Sequence, residues 1–132
     1  MGFPELEELR KRKRDQTVKL MEVSDLTRQL NEALDRKDQV AAQMLLHMRE
    51  APIRQMAEID RGIREFLLGL PEQEAIRYNE LLEGEEAEAG DEAPLCDQVD
   101  RYLNLLDRVV EEDRRVSLRL GGDKSYYRKF RE

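Results

Sequence analysis

The sequence predicts an all-α protein: an antiparallel hairpin of two long helices, packed as a coiled-coil bundle with a third, C-terminal helix. Apolar residues recur at alternating spacings of three and four, the period of one helix face. Charged residues make up 40% of the chain and aromatic residues 5%, with no tryptophan, which is typical of amphipathic helices around an aliphatic core. Proline and glycine residues separate the stripes and mark helix ends.

The first helix is predicted to begin at Pro4, because proline is tolerated in the first turn and the following glutamates face the positive end of the helix dipole. Lys13 and Gln16 stand where the apolar rhythm requires apolar residues, so we expect this end to project beyond the bundle or fray. Its stripe comprises Leu6, Leu9, Leu20, Val23, Leu26 or Thr27, Leu30 and Leu34. Asp35 or Asp38 is expected to cap the second helix.

The second helix carries the clearest stripe, made of Leu45, Met48, Pro52, Met56, Ile59, Ile63, Phe66 and Leu70. One helix over residues 35–70 would be about 50 Å long at about 1.5 Å per residue, which predicts the spine of a hairpin. Pro52 removes one backbone hydrogen bond and crowds the carbonyl group of Met48. We expect a kink there and not a break, because the stripe keeps its phase on both sides.

Four regions follow from this pattern. Residues 1–82 are predicted to form the hairpin and a short following helix, with Gly69 as a left-handed helix cap before Pro71. Residues 83–93 are rich in acidic side chains and have no large apolar one, so they are predicted to be a mobile linker. Residues 94–122 are predicted to be the C-terminal amphipathic helix, and 123–132 a tail. Asp113 interrupts the apolar seam of that helix, either as a solvent-facing gap or as a register or partner-specificity device.

The motifs of catalysis and metal binding are missing from the sequence. It has no glycine-rich phosphate loop, serine elbow, paired-cysteine zinc pattern or histidine cluster. We therefore expect no enzyme, no cofactor and no metal site. His47 is interpreted as a packed or half-exposed structural residue. The methionines at helical positions are interpreted as core filling, or alternatively as a face that adapts to partner helices: Met21, Met44, Met48 and Met56.

The charge and the apolar content bear on partners and location. The formal net charge is −7, which disfavours attraction to nucleic acids and anionic membranes. The basic run Arg10 to Arg14 is a local exception, interpreted as a solvated helix end. The single cysteine, Cys96, excludes an internal disulfide, and the N-terminal residues lack the apolar core of a secretory signal. The longest uncharged stretch of the second helix, residues 39–48, is about half of a membrane span. We expect a cytoplasmic protein without a membrane span.

Several stretches together resemble the FlgN and FliT families of flagellar export chaperones. They are the turn from Asp35 to Asp38, the second-helix segment from Leu46 to Ile53, the last-helix segment from Val109 to Arg115 and the tyrosine-containing basic segment from Ser125 to Lys129. Pro52 and the acidic stretch of residues 83–93 depart from the family pattern.

The resemblance implies a small cytoplasmic chaperone for a late flagellar export substrate. Its partners would be the C-terminal helices of hook-associated or filament-cap proteins, and the type III export apparatus. The expected partner-binding face is on the last helix, at Val99, Tyr102, Leu103, Leu106, Val109 and Val110. Two alternatives stay open: a non-enzymatic structural coiled-coil or adaptor protein, and a nucleic-acid accessory protein using the basic run. The pattern also allows a homodimer in which helices swap between two chains.

Overall fold

A computed structural model describes residues 2–121 as an all-α helical bundle, which confirms the predicted fold class. The helices are α1 (Phe3–Asp35), α2 (Gln39–Met48), α3 (Glu50–Leu68), α4 (Glu72–Leu82) and α5 (Ala93–Gly121), and a 3₁₀ turn covers Gly90–Glu92. The tail at 123–132, and Gly122 at the predicted end of the last helix, lie outside the described residues. Within residues 2–121 no helix has both the length and the apolar character that crossing a membrane requires.

The core contacts define how the helices run. The start of α1 packs against the end of α3, and the end of α1 packs against α2, so α1 and the α2–α3 pair form an antiparallel hairpin. Val99 in the first part of α5 lies with the start of α1, and Val116 lies with the end of α1. Helix α5 therefore runs parallel to α1, and α4 closes the base of the bundle.

Three clusters of buried apolar side chains follow one another along the bundle within residues 2–121. The base cluster comprises Leu6, Leu9, Ile63, Leu67, Tyr78, Leu81, Leu95 and Val99. The middle cluster comprises Leu20, Val23, Tyr102 and Val109. The top cluster comprises Leu30, Ala33, Ala42, Leu45 and Val116.

The buried residues of α1 keep the three-four rhythm without interruption, and the rhythm includes polar residues: Leu6, Leu9, Lys13, Gln16, Leu20, Val23, Thr27 and Leu30. The expectation that the first third of this helix projects or frays is wrong, because Leu6 and Leu9 are core residues of the base cluster. Pro4 lies in the first turn, as predicted. Lys13 and Gln16 point into the bundle, where they compensate for their burial by hydrogen bonding to each other.

Asp38 caps α2, as predicted. Its carboxylate accepts a hydrogen bond from the backbone N–H of Ala41 at 3.0 Å. The chain reverses through Lys37, whose φ of 59° is in the left-handed region. The backbone N–H of Asp38 donates to the carbonyl group of Ala33 at 2.9 Å, which closes the turn.

The helix interruption before Pro52 is confined to Arg49. This residue keeps right-handed helical angles, with φ −70° and ψ −19°. Backbone hydrogen bonds run from Arg49 N–H to the carbonyl group of Leu45 (3.1 Å) and from Ile53 N–H to that of Arg49 (3.2 Å). Because Pro52 has no N–H to donate, the helix is interrupted at Arg49, between α2 and α3, although the backbone keeps a helical path. The outcome lies between the expected kink and a break.

The left-handed helix cap lies at Gly84 and not at Gly69, so the prediction for Gly69 is wrong. Gly69 has φ −83°, because the last turn of α3 tightens into bonds to residues three positions back before Pro71 stops the helix. Gly84 has φ 104° after α4. The next N–H, that of Glu85, donates to the carbonyl group of Glu80 at 3.1 Å, which is a Schellman-type ending. A side chain at Gly84 would also come within 3.2 Å of Leu103 Cδ1.

Residues 83–93, here called the acidic strap, make defined contacts where a mobile linker was expected. Arg77 of α4 donates from Nη2 to Glu92 Oε1 at 2.8 Å and from Nε to Oε2 at 3.1 Å. These bonds hold the pKa of the buried Glu92 carboxyl below its usual value. Arg77 Nη1 also lies 3.6 Å from Glu88 and 3.8 Å from Glu85. Arg77 therefore forms ion pairs with carboxylates of the strap. The abundance of these carboxylates was the basis for predicting a mobile linker.

Candidate functional site

The partner-binding face predicted on α5 belongs largely to the core. Val99 lies in the base cluster, and Tyr102 and Val109 lie in the middle cluster against α1. Leu103 and Leu106 are half-buried, and Val110 is exposed. The sequence located the apolar stripe on α5 correctly. Its periodicity indicates that this face is buried, but not whether the helix that covers it belongs to the same chain. Since α1 covers most of this face, a partner helix has no access to it in the folded bundle.

Asp113, which interrupts the same stripe, binds inside the chain. Its Oδ1 accepts a hydrogen bond from Arg49 Nη1 at 2.8 Å, and the same nitrogen donates to Thr27 Oγ1 at 2.9 Å. We call Thr27, Arg49 and Asp113 the upper polar layer, which lies between the middle and top clusters. Asp113 therefore helps to set the register of α5 against the α2–α3 junction and is not simply a gap facing solvent.

An apolar groove opens between α3 and α4, where the two helices diverge from the turn at residues 69–71. Leu67 and Ala75 line its inner part, and Leu67 belongs to the base cluster. Leu68, the next residue along α3, lies about 100° further around the helix and is 85% exposed. Ile76 is the exposed apolar residue on the α4 side. The groove is shallow and open to solvent, with a volume of about 470 Å³, and its remaining lining residues are Arg64, Glu72, Asn79 and Glu80.

The two walls of this α3–α4 groove differ in charge. On the α4 wall stand Glu72, in the first turn of the helix, and Glu80, whose carboxylate lies 3.4 Å from Arg77 Nη1. On the α3 wall stands Arg64, which is 3.9 Å from Asp60. The groove thus combines an apolar floor with ionic edges of opposite sign, a pattern that suits a peptide-binding surface.

A second exposed apolar surface lies on α2, and we call it the α2 face. Val40, Met44 and Met48 recur at a spacing of four and are all exposed. The interpretation of the methionines as core filling is therefore wrong for Met44 and Met48, and also for Met21, which is exposed on α1. Met56 is half-buried and packs against the middle cluster. The α2 face lies on one helix alone, whereas the α3–α4 groove has two walls.

The polar residues singled out in the sequence are dispersed. His47 is exposed on α2, with Nδ1 3.4 Å from Glu50 Oε2, and is less buried than expected. Burial raises the pKa of the Cys96 thiol, whose Sγ lies 3.6 Å from the carbonyl oxygen of Glu85. Within residues 2–121 no group of three or more His, Cys, Asp or Glu side chains is placed to hold a metal ion.

The basic run of α1 does not form one continuous patch. Arg10 donates to Glu7 from Nε at 2.9 Å, and Arg12 lies 3.6 Å from Glu8 and 5.4 Å from the centre of the Phe66 ring. Lys13 points into the core. Because three of the basic side chains are engaged within the bundle, the surface left for a phosphate backbone is small.

The fold and this surface define a helical bundle with an apolar groove between two of its helices, an arrangement suited to binding another polypeptide. Comparisons of the chain with known protein families, with curated proteins and with solved structures give no match.

Proposed function

We propose that this protein binds an amphipathic helix of a partner polypeptide in the α3–α4 groove, and that it serves as a flagellar export chaperone. In this role it holds the C-terminal helical segment of a hook-associated or filament-cap protein soluble and delivers it to the type III export apparatus in the cytoplasm. The observation that carries the binding proposal is the groove itself, with Leu68 exposed beside a floor of Leu67 and Ala75. The flagellar assignment rests on the sequence resemblance described above.

The physical basis is burial of apolar surface. A leucine transferred from water into an interface contributes about 1.5–3 kcal/mol, so Leu68 is a natural anchor for a partner helix. A partner helix laid between the walls of α3 and α4 covers Leu68 and Ile76 together. The same contact keeps the apolar stripe of the partner out of water, which is what a chaperone for an aggregation-prone helix has to do.

The test is calorimetric titration of the full-length protein with C-terminal segments of the hook-associated and filament-cap proteins of the source organism. We expect one-to-one binding of one segment, and loss of at least tenfold in affinity in Leu68→Asp. Leu118→Asp is the matched control, because Leu118 is equally an exposed leucine but lies on α5. Both variants should keep the far-UV helical signal, since neither side chain is in the core.

Two results would contradict the proposal in different ways. If no segment binds, the flagellar assignment fails. If a segment binds and Leu68→Asp leaves its affinity unchanged, the binding surface is elsewhere. Leu106, on the face first expected to bind, is a poorer probe because it is half-buried against the middle cluster, and a charge there would disturb the fold.

A structural coiled-coil or adaptor role is the second candidate, and the α2 face is the observation that favours it. Val40, Met44 and Met48 form an uncharged, exposed stripe that a second helix can cover. Sedimentation of the wild-type chain and of Met44→Glu distinguishes this role. A dimer that becomes monomeric in Met44→Glu supports it, and a wild-type monomer contradicts it.

A further inference from the structure

The charges on the two walls of the α3–α4 groove carry information about the partner. Glu72 and Glu80 stand at the two ends of the strip that α4 contributes, eight positions apart, and Arg64 stands on α3. At about 1.5 Å per residue the α4 strip is about 12 Å long, which corresponds to about two turns of a partner helix. Over these two turns, one or two basic side chains of the partner helix can meet the carboxylates of Glu72 and Glu80.

The carboxylates of the α4 wall are not equally available. Glu80 shares Arg77, whose shortest hydrogen bond goes to Glu92. Glu72 has no ion-pair partner within residues 2–121, and it lies in the first turn of α4, where the helix dipole favours its negative charge. Glu83, the first residue of the acidic strap after α4, accepts a hydrogen bond from Asn79, a lining residue of the groove, at 3.1 Å. The α4 edge thus has a carboxylate at each end of the groove lining, and Glu72 is the more available of the two.

We propose that the α3–α4 groove selects amphipathic helices that carry lysine or arginine residues along the flank facing α4. This inference rests on the proposed function, because it names the chemistry of the helix that the groove takes. Apolar side chains at positions i and i+4 of the partner cover Leu68 and Ile76, and a basic residue beside them meets Glu72. The net charge of −7 favours the approach of such a helix over an acidic one.

The test uses two synthetic peptides of equal length and equal helix propensity. Both have the same leucine stripe, and they differ only in that the flanking residues are lysine in one and glutamate in the other. Calorimetric titration of the full-length protein in physiological salt should show at least tenfold tighter binding of the lysine peptide. The difference should narrow as the salt concentration rises, because the flank contacts are exposed to solvent.

A charge-reversed variant localises the effect. Glu72→Lys should reduce the preference for the lysine peptide at least threefold. Glu58→Lys, an exposed position on α3 outside the groove lining, is the control, because it changes the net charge by the same amount. If both variants reduce the preference equally, selection is a property of the net charge and the inference about the α4 edge is overturned.

The remaining outcomes separate this inference from the proposed function. Equal affinities of the two peptides, both lost in Leu68→Asp, overturn charge selection while the groove stands as the binding site. If neither peptide binds, both the selection and the groove as a helix-binding site are overturned.

Discussion

Each of two polar layers in the bundle contains a largely buried cation, and the two cations differ in the groups that pair with them. In the upper polar layer Arg49 is paired with Asp113 at 2.8 Å. In the lower polar layer, formed by Lys13, Gln16 and Tyr102, the ammonium group of Lys13 bonds to Gln16 Oε1 at 2.9 Å and lies 3.8 Å from the centre of the Tyr102 ring. Within residues 2–121 Lys13 has no salt-bridge partner, so the groups in direct contact with its cation are neutral.

This difference determines how each layer affects the stability of the bundle and the register of its helices. Burial lowers the pKa of Lys13 from 10.5 to about 8, and the more distant carboxylate of Asp60 only partly opposes this shift. Arg49, with a side chain 12% exposed, instead links α1 and α5 at the α2–α3 junction through bonds to Thr27 and Asp113. We infer that the upper layer contributes to the register of the bundle, whereas the lower layer lowers its stability at neutral pH.

Removing the carboxylate of the upper layer should have the largest effect. We expect Asp113→Ala to lower the free energy of unfolding by about 2 to 3 kcal/mol, because it leaves the buried guanidinium of Arg49 without its counter-charge. Asp113 is itself 48% exposed, which keeps the loss below the roughly 3–5 kcal/mol of fully buried pairs. Denaturation in urea, followed by far-UV circular dichroism, measures the change.

Two controls accompany this variant. Asp113→Asn keeps an acceptor for Arg49 and should lose less, and Asp107→Ala removes an exposed carboxylate from the same helix and should change stability by less than about 0.5 kcal/mol. Equal stability of Asp113→Ala and the wild type would show that Arg49 reaches water without its partner.

The sequence predicted the helices better than it predicted their surfaces, and particular residues show why. The three-four rhythm located all the long helices, since periodicity reports which side of a helix is covered. We expected Lys13 and Gln16 to lie outside the core because charged and amide side chains are rarely buried. Their burial is made possible by the Met56 carbonyl group of α3, which accepts a hydrogen bond from Gln16, and by the Tyr102 ring of α5, which lies against the Lys13 ammonium group. Those contacts are separated in the sequence, so no local pattern indicates them.

The candidate site was harder to predict for the same reason. Leu67 and Leu68 are identical neighbours in sequence, yet one is a core residue and the other the most exposed apolar residue of the groove. Which of them faces outward depends on where α4 packs after the turn at residues 69–71. The acidic strap is a further example, because its hydrogen bonds run to Arg77, a residue outside the strap that the acidic composition did not reveal.

The second largest expected effect is the pH dependence of stability, which comes from Lys13 in the lower polar layer. Between pH 8 and 10 the unfolded chain keeps Lys13 protonated while the folded chain releases the proton, so the unfolded state binds more protons and stability rises with pH. The expected rise is about 2 kcal/mol. Above pH 10 the trend should reverse, because burial raises the pKa of Tyr102 in the folded state and the unfolded chain then loses that proton first. Urea denaturation at intervals of half a pH unit measures this profile.

The informative quantity is the difference in stability between the wild type and Lys13→Met, because this difference cancels the titration of the Cys96 thiol, whose raised pKa lowers stability over the same pH range. A difference that stays constant between pH 8 and 10 would show that the surroundings of Lys13 stabilise its charge as well as water does. The control is Lys13→Met, in which the rise should disappear while the fall above pH 10 remains.

The smallest expected effect is a gain in stability from Lys13→Met at pH 7, of about 1 kcal/mol. Methionine fills a similar volume without the cost of burying a charge, but the variant also loses the contact of the cation with the Tyr102 ring and leaves Gln16 Oε1 without its donor. Gln16 keeps its other bond, from Nε2 to the carbonyl group of Met56 at 3.3 Å. Lys11→Met, at an exposed position of the same helix, controls for the loss of one positive charge. If Lys13→Met is instead less stable than the wild type at pH 7, the ring contact and the bond to Gln16 outweigh the cost of burial, and the lower layer stabilises the bundle as the upper one does.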